Sequence, residues 1–133
     1  MALLSTSLAA TGFAACGPDG SVLSPDASLV SLDRWQALRP QQRRSFPPLC
    51  PDLVVELASL SDEGPRGLTA LRRKMAAYQS NGTRLGWLLL PDECAVEVWP
   101  ASGEPQRLEE LEWLEAGSEF SGLRLELAEI WAG

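Results

Sequence analysis

A mixed α/β fold of the α+β kind is predicted by this sequence, with a βαβ crossover at the centre of one sheet and hairpins flanking it. Three observations carry the prediction. Residues 53–57 (LVVEL) and 85–90 (LGWLLL) are short apolar runs bounded by turn-forming residues, the pattern of buried strands. Between them Leu68, Leu71, Met75 and Tyr78 recur at helical spacing, so strand, helix and strand make one crossover. Residues 95–99 (AVEVW) alternate just after the Pro91-Asp92 break, which pairs them with 85–90 as a hairpin.

The remaining elements follow in chain order. The apolar stretch 1–16 is expected to be a strand and not an export signal, because no Lys or Arg precedes Arg34. Thr6, Thr11 and Gly12 also interrupt it. Gly17-Pro18-Asp19-Gly20 has the composition of a turn and leads into a strand over 22–30. Ser31 is placed to cap a short helix through Leu32, Trp35 and Leu38. Residues 40–48 hold three Pro and form a surface segment with at most one helical turn. Residues 59–67 are a loop rich in Gly, Ser and acidic groups, and the helix over 68–80 stops at Asn81-Gly82. One or two short edge strands are expected within 106–126, and a helical turn at 127–131.

Composition narrows the chemistry. At 133 residues, 45% hydrophobic and 22% charged, the chain is sized for one domain with one core. No run approaches the ~20 apolar residues of a membrane helix. The sequence has no His, the commonest general base and transition-metal ligand, so catalysis would run on carboxylates, Lys, Ser or Cys. Cys16, Cys50 and Cys94 are odd in number and lack C-x-x-C spacing. They exclude a zinc ribbon and fit buried thiols in a reducing cytoplasm. Charge is uneven: residues 1–90 carry nine basic and seven acidic groups, residues 91–133 two and eleven. A pI near 4.5 opposes general nucleic-acid binding, although the first ninety residues alone could meet a phosphate backbone.

Glu56 is the first anomaly, because an ionised carboxylate in a buried strand is costly unless paired or holding a metal. A solvated edge or a plain salt bridge would also satisfy it. On a helical wheel the apolar stripe spans ~80°, and Lys74 lies ~40° beyond Tyr78, at the border of that stripe. There it can reach a sheet carboxylate or merely snorkel to the rim. Arg72 borders the other edge, and Arg73 points outward.

Asp26 follows Pro25 near the start of the strand before that of Glu56, and if the two strands pair antiparallel Asp26 sits opposite Glu56. Asp52 shares a strand with Glu56 but stands roughly 13 Å away, so one ion cannot bridge them. The geometric set is therefore Asp26, Glu56 and Lys74, with Asp52 in a second tier as a turn or cap residue. Asp26 and Glu56 supply oxygens for a hard divalent cation, Mg²⁺ or Mn²⁺. Lys74 orients a water or stabilises an oxyanion.

Several segments resemble a known family. Ser24-Pro25-Asp26-Ala27-Ser28-Leu29-Val30-Ser31 and Pro51-Asp52-Leu53-Val54-Val55-Glu56-Leu57 are similar to the two strand motifs of the Uma-type restriction endonucleases. Lys74-Met75-Ala76-Ala77-Tyr78, Asn81-Gly82-Thr83-Arg84-Leu85-Gly86-Trp87-Leu88 and Pro91-Asp92 resemble its helix, next strand and turn. That family is abundant in cyanobacteria and belongs to the PD-(D/E)xK nuclease superfamily.

The resemblance implies a restriction-endonuclease-like domain over residues 1–133, shortened at its N-terminus. Asp26 matches the Pro-Asp carboxylate, and Glu56 the acid of the D/E-x-K strand. Ala58 holds the usual lysine position, so Lys74 would have to replace that lysine in space. Leu60 stands where Pro is usual, and Gly64-Pro65-Arg66-Gly67 lengthens the loop before the helix.

The implied activity is metal-dependent hydrolysis of DNA in the cytoplasm. Arg34, Arg39, Arg43 and Arg44 are placed to contact DNA or, as an alternative, to pair with the acidic C-terminal third. The rival function is a catalytically inactive remnant of the nuclease fold that self-associates, most simply as a homodimer.

Overall fold

Two apolar runs that cannot be left in water set the centre of the molecule. The computed structural model describes residues 3–6, 13, 22–44, 48–59, 64–120 and 122–132. Its elements are β1 (Leu3–Thr6), β2 (Ala27–Ser31), α1 (Leu32–Gln36), α2 (Pro40–Arg44), β3 (Leu53–Leu57), α3 (Pro65–Ser80) and β4 (Leu85–Leu90). After them come β5 (Ala95–Pro100), β6 (Gln106–Glu109), β7 (Trp113–Glu115), β8 (Arg124–Glu126) and α4 (Ala128–Ala132). Six strands form one sheet in the order β1-β2-β3-β4-β5-β6, and β7 pairs with β8 alone. Among the described strands only β3 and β4 are parallel, with Glu56 opposite Leu88, and α3 is the crossover between them.

The strands' period of two gives the central sheet two buried faces. Val30, Val54, Leu88, Leu90 and Trp99 pack with Met75 and Tyr78 of α3. Leu29, Leu53, Trp87, Leu89 and Val96 pack on the other side with Leu114, Phe120 and Leu127. The closeness of α3 to the sheet depends on Gly86, where a Cβ would stand 2.7 Å from Met75 Cε.

Three boundaries differ from expectation. The strand expected over 22–30 is only Ala27–Ser31, since Pro25 offers no N–H to a ladder; ahead of it a single bridge joins Phe13 to Leu23. The turn at 17–20 lies outside the described residues. Helix α3 starts three residues early, with Gly64 at φ 91 as its cap and Pro65 in its first turn. Within 106–126 there are three strands, one closing the main sheet and two forming the small one. Ser31 does cap α1, accepting from the Arg34 amide at 3.3 Å, and α2 is a helical turn at the start of its segment.

Candidate active site

Strand register assembles the site. Ala27 faces Val55 across the antiparallel β2–β3 pair, and one further step of that register sets Asp26 opposite Glu56. The exposed Asp26 carboxylate turns back on the end of β3, where its Oδ2 accepts from the Leu57 amide at 2.7 Å. Glu56 is 3% exposed and lies on the sheet face that α3 covers. Its Oε1 receives both the Lys74 ammonium at 2.9 Å and the Tyr78 hydroxyl at 2.8 Å. Lys74 Nζ also donates to the Ser24 carbonyl at 2.9 Å, which ties the segment before β2 to the helix.

The electrostatics of Glu56 are a contest. Burial pushes its proton affinity above the ordinary carboxylate value of 4.5, and the nearby Asp26 charge pushes the same way. Lys74 and, less strongly, Tyr78 oppose the shift without cancelling it. Among the described residues, Glu56 Oε2 and Asp26 Oδ1 take part in no hydrogen bond or ion pair. No cluster of three or more Asp, Glu, Cys or His suited to a metal occurs among those residues either. A cation here would therefore rest on two carboxylates and water. Such a donor set fits Mg²⁺ or Mn²⁺, hard ions that keep several waters and need only one or two carboxylates.

The other expected residues lie elsewhere. Asp52 is buried at the start of β3, where Oδ2 accepts from the Ser31 amide at 2.7 Å and Oδ1 pairs with Arg34 at 2.9 Å. Arg34 also donates to the Cys50 carbonyl, and Arg43 to the Trp35 and Gln36 carbonyls. Arg39 and Arg44 are exposed. All four arginines follow the C-terminal end of β2, whereas Asp26 and Glu56 lie at the other end of the β2–β3 pair. The carboxylate that Arg34 found is Asp52, not one of the C-terminal third.

Tyr78 escaped the sequence reading because an aromatic on a buried helical stripe reads as core. A usable signal was present: Tyr78 is one turn beyond Lys74 and carries an O–H that needs a partner when buried. Glu97 is a second buried carboxylate on the same sheet face. Its Oε2 meets Arg72 at 2.6 Å, while its Oε1 has no hydrogen-bond partner among the described residues.

A crossover helix lying over a mixed sheet is a nuclease-like fold. A model of the Uma2 family, described as "Putative restriction endonuclease", matches residues 6–128. The chain belongs to that family. A crystal structure described as a putative nuclease belonging to DUF820 from Anabaena variabilis is similar in fold. Its TM-score is 0.68 at 20% identity, over 98% of this chain and 68% of that one. No curated protein matches the sequence.

Proposed function

We propose that this chain is a metal-dependent endonuclease that hydrolyses phosphodiester bonds of DNA. The observation that carries the proposal is the buried Glu56 carboxylate with Lys74 Nζ 2.9 Å from its Oε1, at the end of the β2–β3 pair where the register sets Asp26 opposite it. Family membership supports the reaction class.

In the proposed reaction a water oxygen bonds to phosphorus, the ester P–O bond breaks, and a phosphate monoester and a hydroxyl leave. Asp26 and Glu56 would hold Mg²⁺ or Mn²⁺, which when bound supplies a more acidic water and offsets negative charge on the phosphate. Lys74 orients the attacking water and donates to phosphate oxygens as charge builds on them. Tyr78 and Lys74 together fix Glu56 Oε1 and so set the orientation of the carboxylate. Arg34 and Arg43 are engaged within the chain, which leaves Arg39 and Arg44 as the exposed arginines of the α1–α2 segment, at the end of the β2–β3 pair away from Glu56. The setting we propose is cytoplasmic; among the described residues no helix is long and apolar enough to cross a membrane.

Metal binding tests the donor set without relying on turnover. Calorimetric titration with Mn²⁺ should give one weak site, lost in Asp26→Asn and in Glu56→Gln and kept in Asp52→Asn. Equal affinity in all four proteins would remove the carboxylates from the proposal.

One feature supports the rival, a non-catalytic protein that pairs with a second copy. On the face away from α3, a groove of about 370 Å³ is lined by apolar side chains that include Leu57, Leu123, Leu125 and Ile130. Sedimentation showing a dimer that binds no Mn²⁺ would favour that reading.

A further inference from the structure

Helix α3 carries a charge at odds with its chain. Its sixteen residues hold Arg66, Arg72, Arg73 and Lys74 and no acid, so the helix is +4 while the remaining residues total −11. Two of these cations are used internally, Lys74 on Glu56 and Arg72 on Glu97. Arg66 and Arg73 are not. Both are exposed and pair with no carboxylate among the described residues. By contrast Arg34, Arg84, Arg107 and Arg124 each pair with a carboxylate.

The two stand seven residues apart, roughly 10 Å along the axis and on one face. Thr69 and Ala70 lie between them, and these four residues line one shallow depression. Small side chains there let a sugar-phosphate strand approach the helix while a guanidinium at each end holds a phosphate. The first turn contains no acid, so the positive end of the helix adds to the field.

Topology sets this face beside the site. Because α3 crosses between two parallel strands, its first turns lie at the end of the sheet where β3 finishes. Leu68 there meets Leu90 and Pro91 across a small cavity. Arg66 thus stands at the Glu56 end, and Arg73 is next in sequence to Lys74.

We infer that the outer face of α3, from Arg66 through Thr69 and Ala70 to Arg73, receives the sugar-phosphate backbone of a DNA strand and leads it to Glu56 and Lys74. The inference rests on the nuclease proposal and names the surface that positions its substrate. Contacts of this kind fix register without reading sequence.

The test is a titration of labelled duplex DNA with the full chain over a salt series, with Ca²⁺ replacing Mg²⁺. The wild type is compared with Arg66→Gln/Arg73→Gln and with Arg39→Gln/Arg44→Gln. Each lost phosphate contact lowers the salt slope by about 0.9, so the α3 pair should lose about two units. Its affinity near 50 mM salt should fall about tenfold or more. Arg66→Lys/Arg73→Lys, which keeps both charges, should restore the slope, and Mn²⁺ binding should not change in any of these variants. Salt-sensitive binding that survives in the α3 pair, or is lost only in Arg39→Gln/Arg44→Gln, overturns the inference and leaves the nuclease proposal standing. A wild type that binds no DNA at any salt defeats that proposal and the inference with it.

Discussion

Glu56 is held between burial, which favours its proton, and Lys74 and Tyr78, which favour its charge; burial prevails, so its proton affinity is raised. Between about pH 4.5 and the raised value the folded state binds more protons than the unfolded one. This group's contribution to stability is therefore fully present below the ordinary value and is lost as pH rises through the raised one. In the metal-free chain, a carbon-detected carboxyl titration should put Glu56 above the ordinary carboxylate value of 4.5. Tyr78→Phe keeps the ring and removes one stabilising donor, so it should move that midpoint higher still while the thermal midpoint changes little. A Glu56 midpoint unmoved in Tyr78→Phe would make the hydroxyl a bystander.

The sequence showed Asp26, Glu56 and Lys74 because each breaks a pattern: an acid in an apolar strand, a lysine at the border of a buried stripe, an acid beside a strand start. Tyr78 and Glu97 break none. Tyr78 continues the apolar stripe, and Glu97 sits in an alternation whose two faces are both covered, which one strand alone cannot reveal.

At the scale of elements, α3 is fastened to the sheet by a charge pair on each flank of its apolar stripe. Lys74 reaches Glu56 on β3, and Arg72 reaches Glu97 on β5, with Leu88 of β4 in register between the two acids. Since Glu97 Oε1 already lacks a hydrogen-bond partner among the described residues, Arg72→Met would leave a buried carboxylate with none there. Arg72 is half-exposed, which lets some water reach the pair, so the expected cost is about 2 kcal/mol. Urea unfolding should show that loss, and Arg72→Met/Glu97→Gln should recover part of it. An unchanged midpoint in Arg72→Met would mean that the apolar stripe alone holds the helix. The crossover could be read from sequence because helix and strand periods are unambiguous over 53–90. The early start of α3 could not, because Gly64-Pro65-Arg66-Gly67 reads as loop until the cap geometry is known.

At the scale of the molecule, the −7 charge argues against DNA binding until it is resolved by element. The acidic groups crowd the region after Pro91, and α3, over the crossover, is wholly basic. Sequence halves pointed at the arginines of residues 34–44, which topology sets at the far end of the β2–β3 pair from Glu56. Distance along the chain is not distance in a sheet.

We propose Asp26, Glu56 and Lys74 as a metal-dependent phosphodiesterase site. The most direct measurement is cleavage of supercoiled plasmid by the purified chain in Mg²⁺ or Mn²⁺, compared with Lys74→Met at matched folded concentration. The expected result is nicking by the wild type that a chelator stops, and a loss of about a hundredfold or more in Lys74→Met, as when a group stabilising transition-state charge is removed. Equal cleavage by both proteins, or none by a wild type shown to be folded and to bind Mn²⁺, would contradict it.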